Sequence, residues 1–336
     1  MSDTLRKIKW GIAGLGNIAN RFATALTEHC LHGELYAVSA RDQSRATTFA
    51  NKFGCEKAYG SYEKMANDPE IEAVYIATVH PYHQPLTELF LKNNKNVLVE
   101  KPAFTNLTDW LEMKALAKKN GVMLLEAMKT VVFPAYHELK SFLIDNDIQI
   151  DSIEASFGNQ HDYDPELFIF NPDLSGGVTL DVGVYGLWFF YDLCRTLRVN
   201  PSKPQVEMSC VYEGSNVDTE ACFKFSGDIN GVISASIVQD LPRSARLTGP
   251  DINITIKEKW WNPDFIEIEH RGKKSTIYYP ITGNGFEFEI DHFSDLVLQG
   301  KTESSILSSE TTHQVLETME KALTDFGYQH LTQPRR

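Results

Sequence analysis

A short glycine-containing segment near the start of the chain limits the choice of fold more than any other feature. Residues 14–19 read Gly-Leu-Gly-Asn-Ile-Ala and stand between an apolar run and a segment with apolar residues at helical spacing. Gly14 suits a tight turn, and Gly16 lets the backbone approach a pyrophosphate. The helix that follows begins near Asn17 and Ile18, where free N–H groups face such an anion. A strand, this turn and a helix in succession predict a dinucleotide-binding βαβ unit.

The periodicity of the chain divides it into two parts. Up to residue 127, predicted strands alternate with predicted helices, which is typical of a parallel sheet. Farther on, several strands follow one another before two closing helices, which favours an antiparallel sheet. We therefore predict a Rossmann domain over residues 1–127, with a doubly wound parallel sheet, and an α+β domain over residues 128–336. This second domain is expected to bind substrate, to carry a large, mostly antiparallel, open-faced sheet and to form subunit contacts, with the boundary near Glu126 to Thr130.

Charge and composition narrow the classes of function. The chain has 336 residues, of which 45 are acidic and 32 are basic, giving a net charge of −13. The acidic balance disfavours nucleic-acid binding, and no apolar run is long enough to span a membrane. Because no apolar signal segment is seen near the N-terminus, we expect a cytoplasmic protein. An open sheet face usually meets another subunit, so we expect a homodimer or larger homo-oligomer that acts on a small molecule.

The end of the second predicted strand bears on the choice of cofactor. An NAD site usually has an acidic residue there, whereas this strand ends at Arg41, and Arg45 lies four positions farther on. Two guanidinium groups suit a 2′-phosphate, to which they donate bidentate hydrogen bonds. Asp42 complicates this interpretation unless it only caps the next helix. We predict NADP(H) as the preferred cofactor, with NAD(H) as the alternative.

A lysine stands at the end of another buried strand. Three apolar residues are followed directly by Glu100, Lys101 and Pro102. Pro102 disfavours the helical region for Lys101 and lacks a backbone donor, so the strand ends here. The carboxyl ends of parallel strands form the ligand-binding edge of such a sheet, so Lys101 is a candidate catalytic residue and Glu100 a candidate cofactor contact. The alternative is a lysine in solvent.

Two histidines follow a neighbouring strand. Thr78, His80 and His83 lie at the end of the apolar run 73–78, again at the carboxyl edge. We expect them to line the nicotinamide ribose or the substrate pocket. A capping or structural role is the alternative. A metal site is not expected, because no clear third ligand accompanies the two histidines.

A third group of residues comes from the second half of the chain. Gly176 and Gly177 precede a long apolar helix, predicted over about residues 179–197. Asp181 and Tyr185 are four positions apart and therefore share one face of that helix. Buried polar side chains need partners, and the lysine of the first domain is a candidate. The alternative is a core tyrosine bonded to the backbone.

These segments together resemble the Gfo/Idh/MocA family of NAD(P)-dependent oxidoreductases, and within it the dimeric dihydrodiol dehydrogenase branch. Residues 100–102 match the family's Glu-Lys-Pro motif, in which the lysine is catalytic, and the resemblance implies a cis Lys101–Pro102 bond. The segment from Gly176 to Tyr185 matches that branch, in which the tyrosine is assigned to catalysis. The other matching segments are residues 14–19, 41–45, 125–128 and 133–134, together with Phe157.

One position departs from that branch. Its members have an aromatic residue where this chain has Lys129. We expect Lys129 and Phe157 to line the substrate pocket, where a charge then replaces a stacking surface. This change disfavours an aromatic diol and favours a sugar, a polyol or an anionic hydroxy compound.

The expected function is hydride transfer between NADP(H) and a CH–OH or C=O carbon of a sugar, polyol or diol. Lys101 and Tyr185 are expected to act as the acid–base groups, and Asp181 to position one of them or to bind substrate. A nearby ammonium is expected to lower the pKa of Tyr185 from its usual value of ~10. Two alternatives stay open: an NAD-dependent glycoside hydrolase that oxidises its sugar transiently, and a non-catalytic NADPH-binding regulatory protein.

Overall fold

The N-terminal sheet is parallel throughout. In the computed structural model, which describes residues 6–333, six strands of this sheet alternate with five helices. They are β1 (Ile8–Ala13), α1 (Asn17–Glu28), β2 (Gly33–Ser39), α2 (Gln43–Phe53), β3 (Lys57–Tyr59), α3 (Tyr62–Ala66), β4 (Ala73–Ile76), α4 (His83–Lys92), β5 (Asn96–Glu100), α5 (Leu107–Asn120) and β6 (Leu124–Ala127). The order across the sheet is β3-β2-β1-β4-β5-β6, so the topology switches between β1 and β4. Ligands bind in sheets of this kind at that switch, outside the carboxyl ends of the strands.

The local sequence explains these elements. All four residues of β4 are buried, as expected for a central strand covered on both faces. The side chain of Asp42 caps the start of α2. Gly54, with a φ of 67°, takes the left-handed conformation that ends this helix.

The second sheet has eight strands and packs one face on helices. Its elements are α6 (Pro134–Asp145), β7 (Ser152–Gly158), α7 (Val184–Leu197), β8 (Gln205–Ser209), β9 (Glu220–Phe225), β10 (Asn230–Ser236), β11 (Ala245–Gly249), β12 (Ile252–Ile256), β13 (Phe265–His270) and β14 (Lys273–Tyr278). The order is β14-β13-β12-β11-β7-β10-β9-β8, in which β7 and β10 are parallel and the other neighbours are antiparallel. Residues facing α6 and α7, such as Ile233 and Ile254, are buried, whereas Val232 on the opposite face is 40% exposed.

The predicted fold class is confirmed, although several details of the sequence prediction differ. Neither β3 nor β11 was predicted, because β3 has three residues and only two of the five residues of β11 are buried. The second sheet also contains the parallel pair β7 and β10. The helix predicted over residues 179–197 begins as a π-helical turn, Thr179–Gly183, and continues as α7.

Two C-terminal helices, α8 (Phe286–Leu298) and α9 (Ser309–Asp325), return to the first sheet. Helix α8 packs against α1 and β1, and Trp10 Nε1 donates a hydrogen bond to Ser294 Oγ at 3.0 Å. The ring of Trp10 also packs against Phe22 and Phe293. Residues from the end of the chain therefore reach the crevice of the first sheet.

The domain limits of 1–127 and 128–336 stay a prediction. Their first five and last three positions lie outside the described residues. Within residues 6–333, no helix is both long enough and apolar enough to cross a membrane.

Candidate active site

A cleft of about 850 Å³ opens at the carboxyl ends of β1 and β4. Gly14 has a φ of +90°, and a Cβ there would lie 2.7 Å from Thr78 Cγ2, so this turn requires glycine. A Cβ on Gly16 would instead have no described atom within 4 Å beyond its immediate chain surroundings. This open space and the N–H groups at the start of α1 fit the diphosphate of a dinucleotide. The predicted site residues that line the cleft are Gly14, Gly16, Asn17, Ile18, Arg41, Arg45, Thr78, His80, Glu100, Lys101, Asp181 and Tyr185.

Two exposed arginines line the cleft beyond the end of β2. The Arg41 guanidinium lies 5.5 Å from the ring centroid of Tyr82. Asp42 Oδ1 accepts a hydrogen bond from the backbone N–H of Arg45 at 2.8 Å and thereby caps α2. A hydrogen bond from Ser44, together with this one, lowers the pKa of Asp42. The Asp42 carboxylate is therefore engaged within its own helix turn.

The two predicted histidines have different surroundings. His80 lines the cleft, and its Nδ1 lies 2.8 Å from the carbonyl oxygen of Ser175. The ring nitrogens of His83 instead lie 2.9 Å from the Pro102 carbonyl and 3.1 Å from the Thr78 carbonyl, beneath the cleft lining. Burial lowers the pKa of both rings, to about 3 for His80. His83 therefore connects the turn after β4 to the turn after β5. Within residues 6–333, no group of three or more His, Cys, Asp or Glu side chains is arranged to hold a metal ion.

Lys101 meets a partner from the second half of the chain. Its Nζ donates hydrogen bonds to Asp181 Oδ1 at 2.7 Å and to the Asp181 carbonyl oxygen at 2.6 Å. Burial by itself would lower the pKa of Lys101, but the Asp181 carboxylate outweighs burial and holds this pKa above its usual value. Burial would likewise raise the pKa of Asp181, and Lys101 holds it below its usual value. The pair is therefore ionic at neutral pH. The Lys101–Pro102 peptide bond is cis.

Glu100 is held beneath this pair. Its carboxylate accepts hydrogen bonds from the Tyr75 hydroxyl and, at 3.1 Å, from the backbone N–H of Lys101. Burial nevertheless raises the pKa of Glu100. The side chain lines both the large cleft and a smaller pocket beside it.

Tyr185 stands where three cavities meet. It lines the large cleft and two neighbouring pockets of about 160 and 220 Å³. Its hydroxyl makes no hydrogen bond with the described part of the chain, and its ring centroid lies 5.0 Å from Lys101 Nζ. Burial raises the pKa of Tyr185 to about 12, against the lowering effect of Lys101. The expectation of a lowered pKa is wrong, because loss of hydration outweighs the nearby ammonium.

The turn before α7 places Asp181 and Tyr185. A Cβ on Gly176 would lie 2.6 Å from a backbone carbonyl oxygen. Gly177 has a φ of +102°, and its Cβ would lie 2.1 Å from Asp218 Oδ1. Asp218 Oδ2 accepts a hydrogen bond from the first N–H of the π-helical turn at 2.8 Å. The glycine pair is thus needed for this helix to begin where it does.

The two predicted substrate residues face the pockets beside Tyr185. Lys129 is 7% exposed and lines the smaller pocket, with its Nζ 4.9 Å from the ring centroid of Phe286. Phe157 lines the other pocket and stacks on Trp261, with ring centroids 3.7 Å apart. An aromatic surface is therefore still present, although position 129 does not supply it.

Several residues of these pockets were not predicted from the sequence, among them Arg21 on α1, Lys259 and Trp261 after β12, and Glu289 on α8. The sequence does contain a sign that Glu289 is unusual. It lies on the buried side of a helix between Phe286 and Phe293, where an acidic side chain is unexpected. Arg21 and Trp261 left no local signal, because only the packing of distant segments brings them to the site.

Comparison with known proteins agrees with this geometry. Residues 8–128 match the model of the Gfo/Idh/MocA proteins, an oxidoreductase family with an NAD-binding Rossmann fold. The chain is 32% identical over 330 residues to trans-1,2-dihydrobenzene-1,2-diol dehydrogenase of Xenopus tropicalis, covering 95% of this chain and 98% of that one. Levoglucosan dehydrogenase, solved with NADH and levoglucosan, has a TM-score of 0.82 at 17% identity, with 96% and 98% covered. A 3-ketoreductase from Actinomadura kijaniata, solved with NADP and TDP-benzene, has a TM-score of 0.79 at 20% identity, with 95% and 98% covered.

A parallel sheet with a dinucleotide cleft and a lysine at its carboxyl edge defines an oxidoreductase of the dehydrogenase and reductase type. The chain belongs to the Gfo/Idh/MocA family, as its sequence motifs predicted.

Proposed function

We propose that this protein is an NADP(H)-dependent dehydrogenase or reductase that acts on a CH–OH or C=O carbon of a sugar, polyol or diol. The observation that carries the proposal is the position of Tyr185, whose hydroxyl has no hydrogen-bond partner among the described residues. This hydroxyl belongs to a side chain that lines the dinucleotide cleft and both neighbouring pockets. A proton donor at such a junction can serve a substrate held against the cofactor.

The proposed roles follow from the electrostatics of the site. A bound nicotinamide supplies the carbon that exchanges the hydride. At neutral pH Lys101 and Tyr185 both carry their protons, since the pKa of each is raised. In the direction of reduction, Tyr185 gives its proton to the substrate oxygen, and the Lys101 ammonium stabilises the phenolate that forms. Asp181 holds Lys101 in place and keeps it charged.

NADP(H) is proposed over NAD(H) because of the residues beyond β2. Arg41 and Arg45 line the cleft, and no ion pair with a described residue engages either guanidinium. Asp42, which would otherwise suit ribose hydroxyls, caps α2. Arg45 donates one hydrogen bond to the Leu15 carbonyl oxygen at 3.4 Å, but neither guanidinium is neutralised by a carboxylate of the described residues. Two such guanidiniums beside an engaged carboxylate favour a 2′-phosphate.

An NADP⁺-coupled screen tests the proposal. Purified protein would be offered sugars, polyols, inositols and dihydrodiols, and NADPH formation would be followed by absorbance. We expect steady turnover of at least one compound, and its loss in the variant Lys101→Met. Tight NADPH binding with no turnover across the panel would instead support a regulatory protein. Sugar hydrolysis without net NADPH formation would support a glycoside hydrolase.

A homodimer or larger homo-oligomer and a cytoplasmic location are part of the same proposal. The second sheet has helices on one face, while the other carries partly exposed side chains such as Val232. Such a face suits contact with a second copy of the chain. Sedimentation equilibrium would check the subunit number, and cell fractionation the location.

A further inference from the structure

The pocket of about 160 Å³ beside Tyr185 is lined by cations and carboxyl groups that make no ion pair within the described residues. Its cations are Arg21, Lys129 and Lys259, and its carboxyl groups are Glu100 and Glu289. None of the three cations makes an ion pair within the part of the chain that the structure describes. Of the carboxyl groups, only Glu100 is hydrogen-bonded. Arg21 and Lys259 are exposed, whereas Lys129 and Glu289 are buried, and buried polar groups normally find partners.

Lys129 is the central feature of this pocket. It is 7% exposed, and its nearest partner in the described structure is the face of Phe286, 4.9 Å from Nζ. Burial and the Arg21 guanidinium lower the pKa of Lys129 to about 8. The Glu289, Glu100 and Glu287 carboxyl groups act in the opposite direction, but none forms an ion pair with Lys129 in the described structure. A buried lysine that is still largely charged at neutral pH and makes no ion pair destabilises the fold. An anion supplied from outside would remove that penalty.

Glu289 forms no ion pair with Lys129 within the described residues. It is 1% exposed, and neither of its oxygens has a hydrogen-bond partner in the described structure. Burial, and then the Glu100 carboxylate, raise the pKa of Glu289 well above its usual value. The Lys129 ammonium acts in the opposite direction. Protonation, which burial favours, leaves Glu289 able to donate a hydrogen bond. Lys129, Glu289 and Arg21 thus form a set of donors.

We propose that this pocket binds the carboxylate of a polyhydroxy acid, such as an aldonate or uronate, with Lys129 as its principal contact. The inference rests on the proposed function and narrows its substrate class. A carboxylate accepts hydrogen bonds on both oxygens, which matches neighbouring donors. A cationic substrate group would face three positive side chains and is disfavoured. A carbinol carbon of the same molecule would lie toward Tyr185, which lines the pocket.

The carboxylate takes no part in the bond changes. In the oxidation, a C–H bond of the substrate breaks and its electron pair reduces NADP⁺ to NADPH. The hydroxyl O–H bond breaks and its proton passes to the phenolate form of Tyr185, which has first released its own proton to solvent. A C=O bond forms. The carboxylate serves to hold that carbinol in place, so we expect Lys129 to affect KM more than kcat.

Direct binding tests the carboxylate site without relying on turnover. D-gluconate and D-glucitol, and D-glucuronate and D-glucose, are pairs that differ chiefly in the presence of a carboxylate. Each would be titrated calorimetrically into the NADP⁺-saturated protein. We expect at least one acid to bind about tenfold or more tightly than its neutral counterpart, as for a charge-assisted hydrogen bond. Equal affinities in both pairs, absence of acid binding, or a preference for glucose 6-phosphate over both acids would overturn the inference.

Variants identify the residue responsible. Lys129→Met should abolish the preference for the acid, and Lys129→Arg should restore most of it. Lys118→Met removes the same charge from the exposed face of α5 and should change nothing. If Lys129→Met folds poorly, Lys129→Gln serves the same purpose. A preference that persists in the folded variant would contradict the role of Lys129.

The experiments distinguish failure of the proposed hydride transfer from failure of the proposed carboxylate site. If neutral sugars are oxidised as well as acids, and Lys101→Met stops this, the proposed function stands and the carboxylate site is wrong. If the acids bind through Lys129 but nothing is oxidised, the carboxylate site stands and the proposed hydride transfer is wrong.

Discussion

Lys101 and Lys129 follow neighbouring strands, β5 and β6, but their surroundings are opposite. Both are largely buried, with exposures of 13% for the Lys101 side chain and 7% for Lys129. Lys101 has the Asp181 carboxylate 2.7 Å away, and its pKa is raised in spite of burial. Lys129 has no ion pair with a described residue, and burial followed by Arg21 lowers its pKa to about 8. The partner, rather than burial alone, decides how tightly each lysine holds its proton.

The carboxyl groups of the site show the same contrast. Asp181 is ionised beside Lys101, whereas Glu289 has no partner for either oxygen and its pKa is raised by burial. A matched ion pair keeps its geometry without a ligand, which suits groups that act on the reacting oxygen. Unmatched groups are stabilised only when a ligand arrives, which suits recognition.

The largest expected effect is the loss of turnover when Lys101, the ion-paired lysine, is replaced. Lys101→Met should lower kcat by ~10²–10⁴-fold, because it removes the ammonium beside Tyr185. NADPH affinity, measured by fluorescence titration, should stay within a few-fold of the wild type. A Lys101→Met variant with wild-type kcat would show that the ion-paired lysine is not needed for catalysis.

Replacing Lys129, the lysine without an ion pair in the described structure, should stabilise the fold. The pKa of Lys129 falls from 10.5 to about 8, which corresponds to roughly 3 kcal/mol against the charged folded form below pH 8. Lys129→Met should therefore raise the free energy of unfolding at pH 7 by ~1–3 kcal/mol in urea denaturation. Because the unfolded lysine binds its proton more tightly, wild-type stability should rise between about pH 8 and 10.5, a rise that the variant lacks. Loss of stability in the variant would mean that Lys129 has a partner within the fold.

Arg41, an exposed cation of the cofactor cleft, can be compared with Lys129. Arg41, like Lys129, has no internal carboxylate partner and is proposed to meet an anion of the ligand. Arg41→Ala should weaken NADPH binding by ~10–100-fold, the value of a charge-assisted hydrogen bond, and leave NADH binding nearly unchanged. Equal losses for the two cofactors, or better use of NADH by the wild type, would contradict NADP(H) preference.

The smallest effect is a pH dependence that separates the lysines. For an acidic substrate, kcat/KM should fall above pH 8 as Lys129 loses its proton and level off about tenfold lower, the preference attributed to this charge. Tyr185 and Lys101 titrate well above this range. The ionisable neighbours of Lys129 are Arg21, Lys259, Glu100, Glu287 and Glu289, so assigning the pH dependence to Lys129 needs the variant. The break near pH 8 should vanish in Lys129→Met and for a neutral substrate.

Much of the fold and the matched pair could be predicted from sequence. The alternation of strands and helices fixes the parallel sheet, and the proline after Lys101 marks the strand end. The predicted contact between Lys101 and Asp181 is present at 2.7 Å. These predictions succeed because each depends on local periodicity or on the common edge of a parallel sheet.

Apart from Lys129 and Phe157, the residues that line only the two smaller pockets could not be predicted in the same way. Arg21, Trp261 and Glu289 come from distant segments that only tertiary packing brings together. The direction of the Tyr185 pKa was also wrong, because desolvation depends on how deeply the ring is buried. Edge strands such as β3 escape prediction because they are too short to show a period.

The most direct test of the central claim compares wild type with Tyr185→Phe on one substrate found in the coupled screen. The change removes only the hydroxyl that stands where the three cavities meet. We predict a fall in kcat of ~10²-fold or more, with NADPH affinity and the stability of the fold nearly unchanged. A Tyr185→Phe enzyme that turns over at the wild-type rate would contradict the assignment of Tyr185 as the proton donor.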